Sequence, residues 1–282
     1  MALVINNNIA SLIAQKNLNF NTKYLTSSIE RLSSGYKINK AADDAAGLSI
    51  SESLRAQMRG NDQALNNIQD GVNLLQIAES GLEVINDNLQ RMRELCVQAA
   101  NGTYSSSERS AIILEINARI SDIDRIAKST KFNNVSLLDG SMSETGKIQC
   151  GANTAVSTNT IDLSVALSRV TSSVIGITLT DTASTWNADN VRTYLSRLDS
   201  ALNTIITNRS KIGAYQNRLE STLKSLTAIN ENVTSAESRI RDVDIAKESA
   251  SMTKYQILQQ ASASVLAQAN KLPELALSLL QG

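Results

Sequence analysis

Residues 191–233 read VRTYLSRLDSALNTIITNRSKIGAYQNRLESTLKSLTAINENV, and one spacing runs through all of them. Val191, Leu198, Ile205, Ile212, Leu219, Leu226 and Val233 stand seven residues apart without a break. Leu195, Leu202, Arg209, Tyr215, Thr222 and Ile229 accompany them, with Tyr215 one place off the strict repeat. Alternating steps of three and four put a narrow apolar stripe on one helix face, the pattern of a coiled-coil seam. Residues 188–235 therefore predict one helix, on the order of 65 Å long at about 1.5 Å per residue.

A single stripe needs partners, and the sequence supplies two. From about residue 44 to 100, Leu65, Ile68, Val72, Leu75, Ala78, Leu82, Ile85, Leu89, Met92, Cys96 and Ala99 repeat the 3–4 stepping. The two successive three-residue steps around Leu75 and Ala78 overwind the seam without ending it. Asn101-Gly102 stops this helix. Ser105 followed by Glu108 has the form of a capping box for a third helix. That helix shows Ile113, Ile116, Ile120, Ile123 and Ala127 on one face. The two must pack with the 188–235 helix as an antiparallel bundle. Between them, KFNNVSLLDGS (131–141) carries Asn-Asn and Asp-Gly turn chemistry, and SVIGITLTDTAS (173–184) alternates like a strand. The fold class is mainly α: a long antiparallel helical rod with a small central β-hairpin region.

Composition narrows the function. The 282 residues hold 27 Lys plus Arg against 27 Asp plus Glu, so no positive field draws nucleic acid or acidic lipid. Arg239 and Arg241 interleave with Glu237, Asp242 and Asp244 and lack aromatic stacking partners, which suits an ion-paired junction between helices better than a nucleic-acid contact. Histidine is absent, which excludes His-based triads, His metal ligands and His general bases. Asp43-Asp44 before a long helix suits an N-cap rather than a carboxylate pair. Gly35, Gly47 and Gly60 form no phosphate loop, and no stretch approaches the ~20 apolar residues of a membrane span. The N-terminus lacks the parts of a cleaved secretory signal. Aromatic residues are 3%, and the single proline is Pro273, so long helices run unbroken and seams are thin. Cys96 suits a small apolar seam position, while a Cys96–Cys150 bridge stays open.

The chain ends carry the functional signal. Leu18, Leu25 and Leu32 are seven apart, as are Leu258, Val265, Leu272 and Leu279. Ile9, Leu12 and Ile13 widen the first face, and only Lys271 and Glu274 are charged between 255 and 282. Two such helices can pair, but a two-helix hairpin has no complete core. The remaining apolar surface calls for other copies of the chain. Leu18, Leu25, Leu32, Leu258, Val265 and Leu272 are the residues expected to pack helices in an assembly.

Several stretches then resemble one family, the bacterial flagellins. They are NNNIASLIAQKNL (6–18), SIERLSSGYKINKAADDAAGLSISESLRAQMRG (28–60) and QDGVNLLQIAESGLEVINDNLQRMRELCVQAANGTYSSSER (69–109). KIGAYQNRLEST (211–222), AESRIRDVDIAKE (236–248) and ILQQASASVLAQANKLPELALSLLQG (257–282) continue the resemblance. It covers about residues 1–140 and 188–282. It implies a non-enzymatic filament subunit for motility, with no cofactor or metal. Residues 1–40 and 243–282 would form an inner helical layer. Residues 41–140 and 188–242 would form a rod around it. Residues 141–187 would be a short hairpin and loop region where larger members insert outer domains. The resemblance also implies unfolded export through the flagellar type III apparatus, an extracellular filament, and an export chaperone with cap and junction proteins as partners. A hook–filament junction protein is the alternative within fibrous proteins. A secreted ligand of a host innate immune receptor is the other alternative. The positions matching a receptor patch in some family members are Arg91 and Leu95 in QRMREL and Glu115 in LEIN, with Asn117-Ala118 altering it. Arg91 and Glu115 suit a solvated ion-paired face or a subunit contact equally well.

Overall fold

The structure, a computed structural model, describes residues 8–143, 146–179, 186 and 188–280; the side chains of 143, 188 and 272–280 lie outside that description. Its helices are α1 (Ile9–Ser34), α2 (Ala45–Ala99), α3 (Ser106–Ser129), the short α4 (Val156–Asn159), α5 (Ala188–Arg241) and α6 (Ile245–Leu280). Its strands are β1 (Lys131–Phe132), β2 (Val135–Ser136), β3 (Lys147–Gln149) and β4 (Thr160–Asp162). The chain forms two compact units, residues 57–231 and residues 1–56 with 232–282.

In the unit 57–231, cross-helix polar pairs give the helix directions. Asp62 accepts from Asn230, Glu79 meets Arg209 at 3.7 Å, and Arg93 meets Asp199 at 2.8 Å. The partner number falls as the α2 number rises, so α2 and α5 are antiparallel. Arg119 with Asn88 and Arg91 with Glu115 set α3 antiparallel to α2 in the same way. Ile68, Leu75, Ala78, Leu82, Ile85, Leu89, Met92, Cys96 and Ala99 are all buried in one continuous core. The overwound step at Leu75–Ala78 thus keeps its seam. Ser105 and Glu108 complete the capping box: the Ser105 hydroxyl accepts from the Glu108 amide, and the Glu108 carboxylate accepts from the Ser105 amide.

The companion register on α5 differs from the expected one. Val191, Leu198, Ile205, Ile212, Leu219 and Leu226 are buried. Their buried companions are Tyr194, Ala201 and Asn208, three residues on rather than four, and the half-buried Tyr215 continues that register. Tyr215, which seemed out of step, is the one in step. Leu195 and Leu202 flank the core, and Arg209 reaches outward to Glu79. The partners that cover α5 stand on the other side of the seven-residue stripe, and periodicity alone does not choose the side.

Three glycines on α2 seat the central segments. A Cβ at Gly60 would stand 2.6 Å from Ala152, at Gly71 3.4 Å from Ile148, and at Gly81 2.7 Å from the Thr130 hydroxyl. Gly60 therefore lies within a helix as a docking notch and does not punctuate the chain. The β1–β2 hairpin turns at Asn133 and Asn134, both with positive φ (45° and 68°), which asparagine tolerates. β3 pairs antiparallel with β4. The strand expected over 173–184 does not form in residues 173–179, which make a turn and extended chain; 180–184 lie outside the described residues. The Asp124 carboxylate accepts from both the amide and the hydroxyl of Ser172, which fixes that turn on α3. Ile175 and Ile177 then enter the core as single anchors, and the Tyr194 hydroxyl donates to the Ile177 carbonyl at 2.6 Å. Cys96 and Cys150 are both buried free thiols, so the bridge left open by the sequence does not form.

Candidate assembly surface

The unit of residues 1–56 and 232–282 is built on the α1–α6 pair. Asn8 caps α1 by accepting from the Ser11 amide, and its own amide donates to the Ala269 carbonyl at 2.7 Å. The Asn21 amide donates to the Ser262 hydroxyl at 2.8 Å, Gln259 donates to Thr22, and Tyr24 stacks on Tyr255 at 5.2 Å. Arg31 stands 4.0 Å from Glu248. These pairs place the two helices antiparallel.

The seam between them mixes small and polar residues with half-buried apolar ones. Ala14, Asn21 and Ser28 are the buried α1 positions, seven apart, and Leu18, Leu25 and Leu32 lie half-buried on the same heptad face. On α6, Ala269 is buried, while Met252, Tyr255, Gln259, Ser262 and Leu266 are half-buried at steps of three and four. The expected series Leu258 and Val265 does not form this seam. Both are exposed, Val265 by 54%, because α6 turns the side that carries Met252, Tyr255, Gln259, Ser262, Leu266 and Ala269 toward α1. The Leu272 side chain lies outside those described. Among exposed polar residues such as Lys16 and Lys23, the outward side carries Ile9, Leu12, Ile13, Phe20 and Ile29 on α1, and Ile257, Leu258 and Val265 on α6. With large apolar residues on its outward side as well as in its seam, the pair departs from the usual amphipathic pattern. Large apolar side chains left exposed in this number on one helix pair mark an interaction surface.

The breaks flanking this pair are tied together. Gly35 ends α1 at φ 75°, where a side chain would be strained. The Val243 amide donates to the Gly35 carbonyl at 3.0 Å and the Lys37 amide to the Arg241 carbonyl at 2.6 Å. Asp44 accepts from the Gly47 amide and Asp244 from the Lys247 amide, so both open their helices as caps. Asp43 accepts from the Asn39 and Lys40 amides, and the Lys40 amide above all holds its carboxyl below the ordinary range. Arg241 bonds Glu52 at 2.8 Å and depresses that carboxyl likewise.

The second candidate patch lies in the other unit. Arg91 bonds Glu94 at 2.8 Å and stands 3.6 Å from Glu115, which also pairs with Arg119. All four side chains are substantially exposed, so each pair contributes little, about 0–1 kcal/mol. Leu95 corrects the expectation: it is 3% exposed and part of the core, because it continues the buried face of α2. Arg91 and Glu115 thus form a surface pair without it. Among the described residues no group of three His, Cys, Asp or Glu could hold a metal, and no helix is long and apolar enough to cross a membrane.

A helical unit with a finished core at 57–231 and a terminal helix pair that turns its apolar side chains outward defines a self-associating structural protein. The chain belongs to the bacterial flagellin family: residues 5–143 match the bacterial flagellin N-terminal helical region and residues 195–280 the C-terminal helical region. It is 42% identical to a flagellin of Halalkalibacterium halodurans over 279 residues, covering 99% of this chain and 100% of that one. It is 40% identical to the flagellar filament 33 kDa core protein of Treponema phagedenis, with 99% and 100% covered. The flagellin of Bacillus subtilis is 42% identical, with 98% and 99% covered. A structure from Vibrio parahaemolyticus described as flagellar hook-associated shares the fold, with a TM-score of 0.56 at 16% identity over 71% of this chain and 100% of that one.

Proposed function

We propose that this chain is the structural subunit of a bacterial flagellar filament and that copies join through the outward apolar face of α1 and α6. The observation that carries this is the apolar surface the α1–α6 pair leaves uncovered, with Phe20, Ile257 and Val265 all more than half exposed. Burying apolar surface contributes roughly 25 cal/mol per Å², repeated at every copy. In this reading Leu18, Leu25 and Leu32 hold α1 on α6 within one subunit. Leu258 and Val265, with Leu272 continuing their seven-residue series, pack against neighbouring copies. Residues 1–40 and 243–282 form the inner layer, and residues 41–140 and 188–242 form the rod. Residues 141–187 stand in place of larger outer domains.

The chain is non-enzymatic in this reading, and its place is the extracellular filament. Family membership is the support for that location and for an export chaperone with cap and junction partners. Full-length relatives called flagellin or filament core protein favour the filament over a hook–filament junction role. A receptor-ligand role would rest on Arg91 and Glu115 alone.

The test is seeded polymerisation of the purified chain. Wild type extends filament seeds. Val265→Asp and Phe20→Asp keep the unfolding midpoint of the 57–231 core and lose seed extension. Extension at the wild-type rate by both variants would remove the α1–α6 face from the interface.

A further inference from the structure

We propose that Asn101-Gly102, in the turn joining α2 to α3, is a site of spontaneous covalent modification, and that Arg109 directs the product toward an isoaspartyl link. Both residues are exposed, and the sequence holds no other Asn-Gly pair. Within the turn the Asn101 amide donates to the Gln98 carbonyl, and the Tyr104 amide to the Asn101 carbonyl. The Thr103 amide donates to Asn101 Oδ1 at 3.3 Å. The Gly102 amide has no partner among the described residues. The Asn101–Thr103 bond holds the Asn101 side chain against the main chain of the turn, next to Gly102. No Cβ shields that nitrogen. The fold does not require glycine there either: a Cβ on Gly102 would meet nothing within 4 Å.

The chemistry closes with water as the only co-reactant. The Gly102 nitrogen loses its proton and attacks Asn101 Cγ. The Cγ–Nδ2 bond breaks, and ammonia leaves with that proton. The cyclic imide formed is then opened by one water at either carbonyl. Opening at the former main-chain carbon leaves the chain running through Cγ, with the old main-chain carbonyl now a free carboxylate: the isoaspartyl product. Opening at Cγ gives ordinary aspartate.

Arg109 tells the two products apart. Its Nη2 lies 3.5 Å from the Asn101 main-chain oxygen, its Nη1 lies 3.5 Å from the Trp186 carbonyl, and its Nε is buried without a partner. No carboxylate pairs with this guanidinium among the described residues. In the isoaspartyl product the new charge develops on the oxygen that Arg109 already faces, which turns a long contact into a charge-assisted one. In the aspartyl product the charge sits on the side-chain oxygens, which Arg109 does not hydrogen-bond in the described residues. The modified turn also carries one extra main-chain carbon between α2 and α3.

The experiment ages the full-length chain at mildly alkaline pH and follows residue 101 by peptide mass and by isoaspartyl methyltransferase labelling. Wild type gains one mass unit at residue 101, with an isoaspartyl share above that of the same chain aged unfolded in urea. Gly102→Ala slows the gain several-fold. Arg109→Gln keeps the gain and returns the isoaspartyl share to the unfolded value. No gain at residue 101, or an equal gain in Gly102→Ala, overturns the site. Equal isoaspartyl shares in folded and unfolded wild type overturn the role of Arg109, and that comparison needs no variant.

Discussion

The guanidinium of Arg241 lies over the ring of Tyr36, 4.6 Å from its centroid. Arg241 is the last residue of α5, and Tyr36 follows the glycine that ends α1. The stack joins two chain breaks that also share two main-chain hydrogen bonds and the Arg241–Glu52 ion pair. The guanidinium side chain is mostly covered, so the stack is worth more than an exposed one.

Removing that ring loosens the clasp. Tyr36→Ala costs about 1 kcal/mol locally. The Lys37 and Val243 amides, which bridge the breaks, then exchange with solvent about five-fold faster at about 1.4 kcal/mol per tenfold. Hydrogen exchange read by NMR or mass spectrometry checks this, and core amides of α2 at Leu82–Leu89 stay unchanged.

Acid loosens the same region. Arg241 holds Glu52 below its ordinary value of 4.5, and the Lys40 amide holds Asp43 below 3.8. A depressed carboxylate contributes stability fully above the unfolded-state pKa, and loses it as pH falls through the folded-state pKa. Protection of the Asn39 and Lys40 amides is therefore constant above about pH 5 and declines below the ordinary carboxylate range. Asp43→Asn removes the pH dependence of those two amides. A flat profile in wild type contradicts the assignment.

Gly60 and Gly102 respond oppositely to a methyl group. Alanine within a helix ordinarily gains about 1 kcal/mol over glycine. At Gly60 the added Cβ meets Ala152 at 2.6 Å, so Gly60→Ala forfeits that gain and costs about 1–3 kcal/mol by overpacking. Gly102→Ala, with open space around it, stays within about 0.5 kcal/mol of wild type. Urea unfolding midpoints of the two variants separate the effects.

Cys96 is silent in the folded chain. Burial alone pushes its thiol up to about 12, so almost no thiolate exists at neutral pH and the sulfur is covered. A thiol reagent at pH 8 leaves Cys96 unlabelled in native protein and labels it in urea. Labelling of native Cys96 at the unfolded rate overturns the packing described here.

The seven-residue stripes on α2 and α5, the Ser105–Glu108 capping box and the Asn133-Asn134 turn are written in the sequence because each depends on neighbours a few residues away. So are the family motifs and the apolar excess at both ends. The side of each stripe that is covered depends on where the partner helix stands. Asn208 therefore takes the place expected for Arg209, and Leu95 left the surface. Leu258 and Val265 turned outward because Gln259 and Ser262 could hydrogen-bond to α1. Ile175 and Ile177 alternate like a strand, yet no strand among the described residues pairs with them; Asp124, 48 positions from Ser172, fixes that turn instead. Local periodicity determined the helices and their apolar stripes. Only the tertiary structure decided which flank of each stripe is buried, because a side chain is buried by atoms distant in sequence.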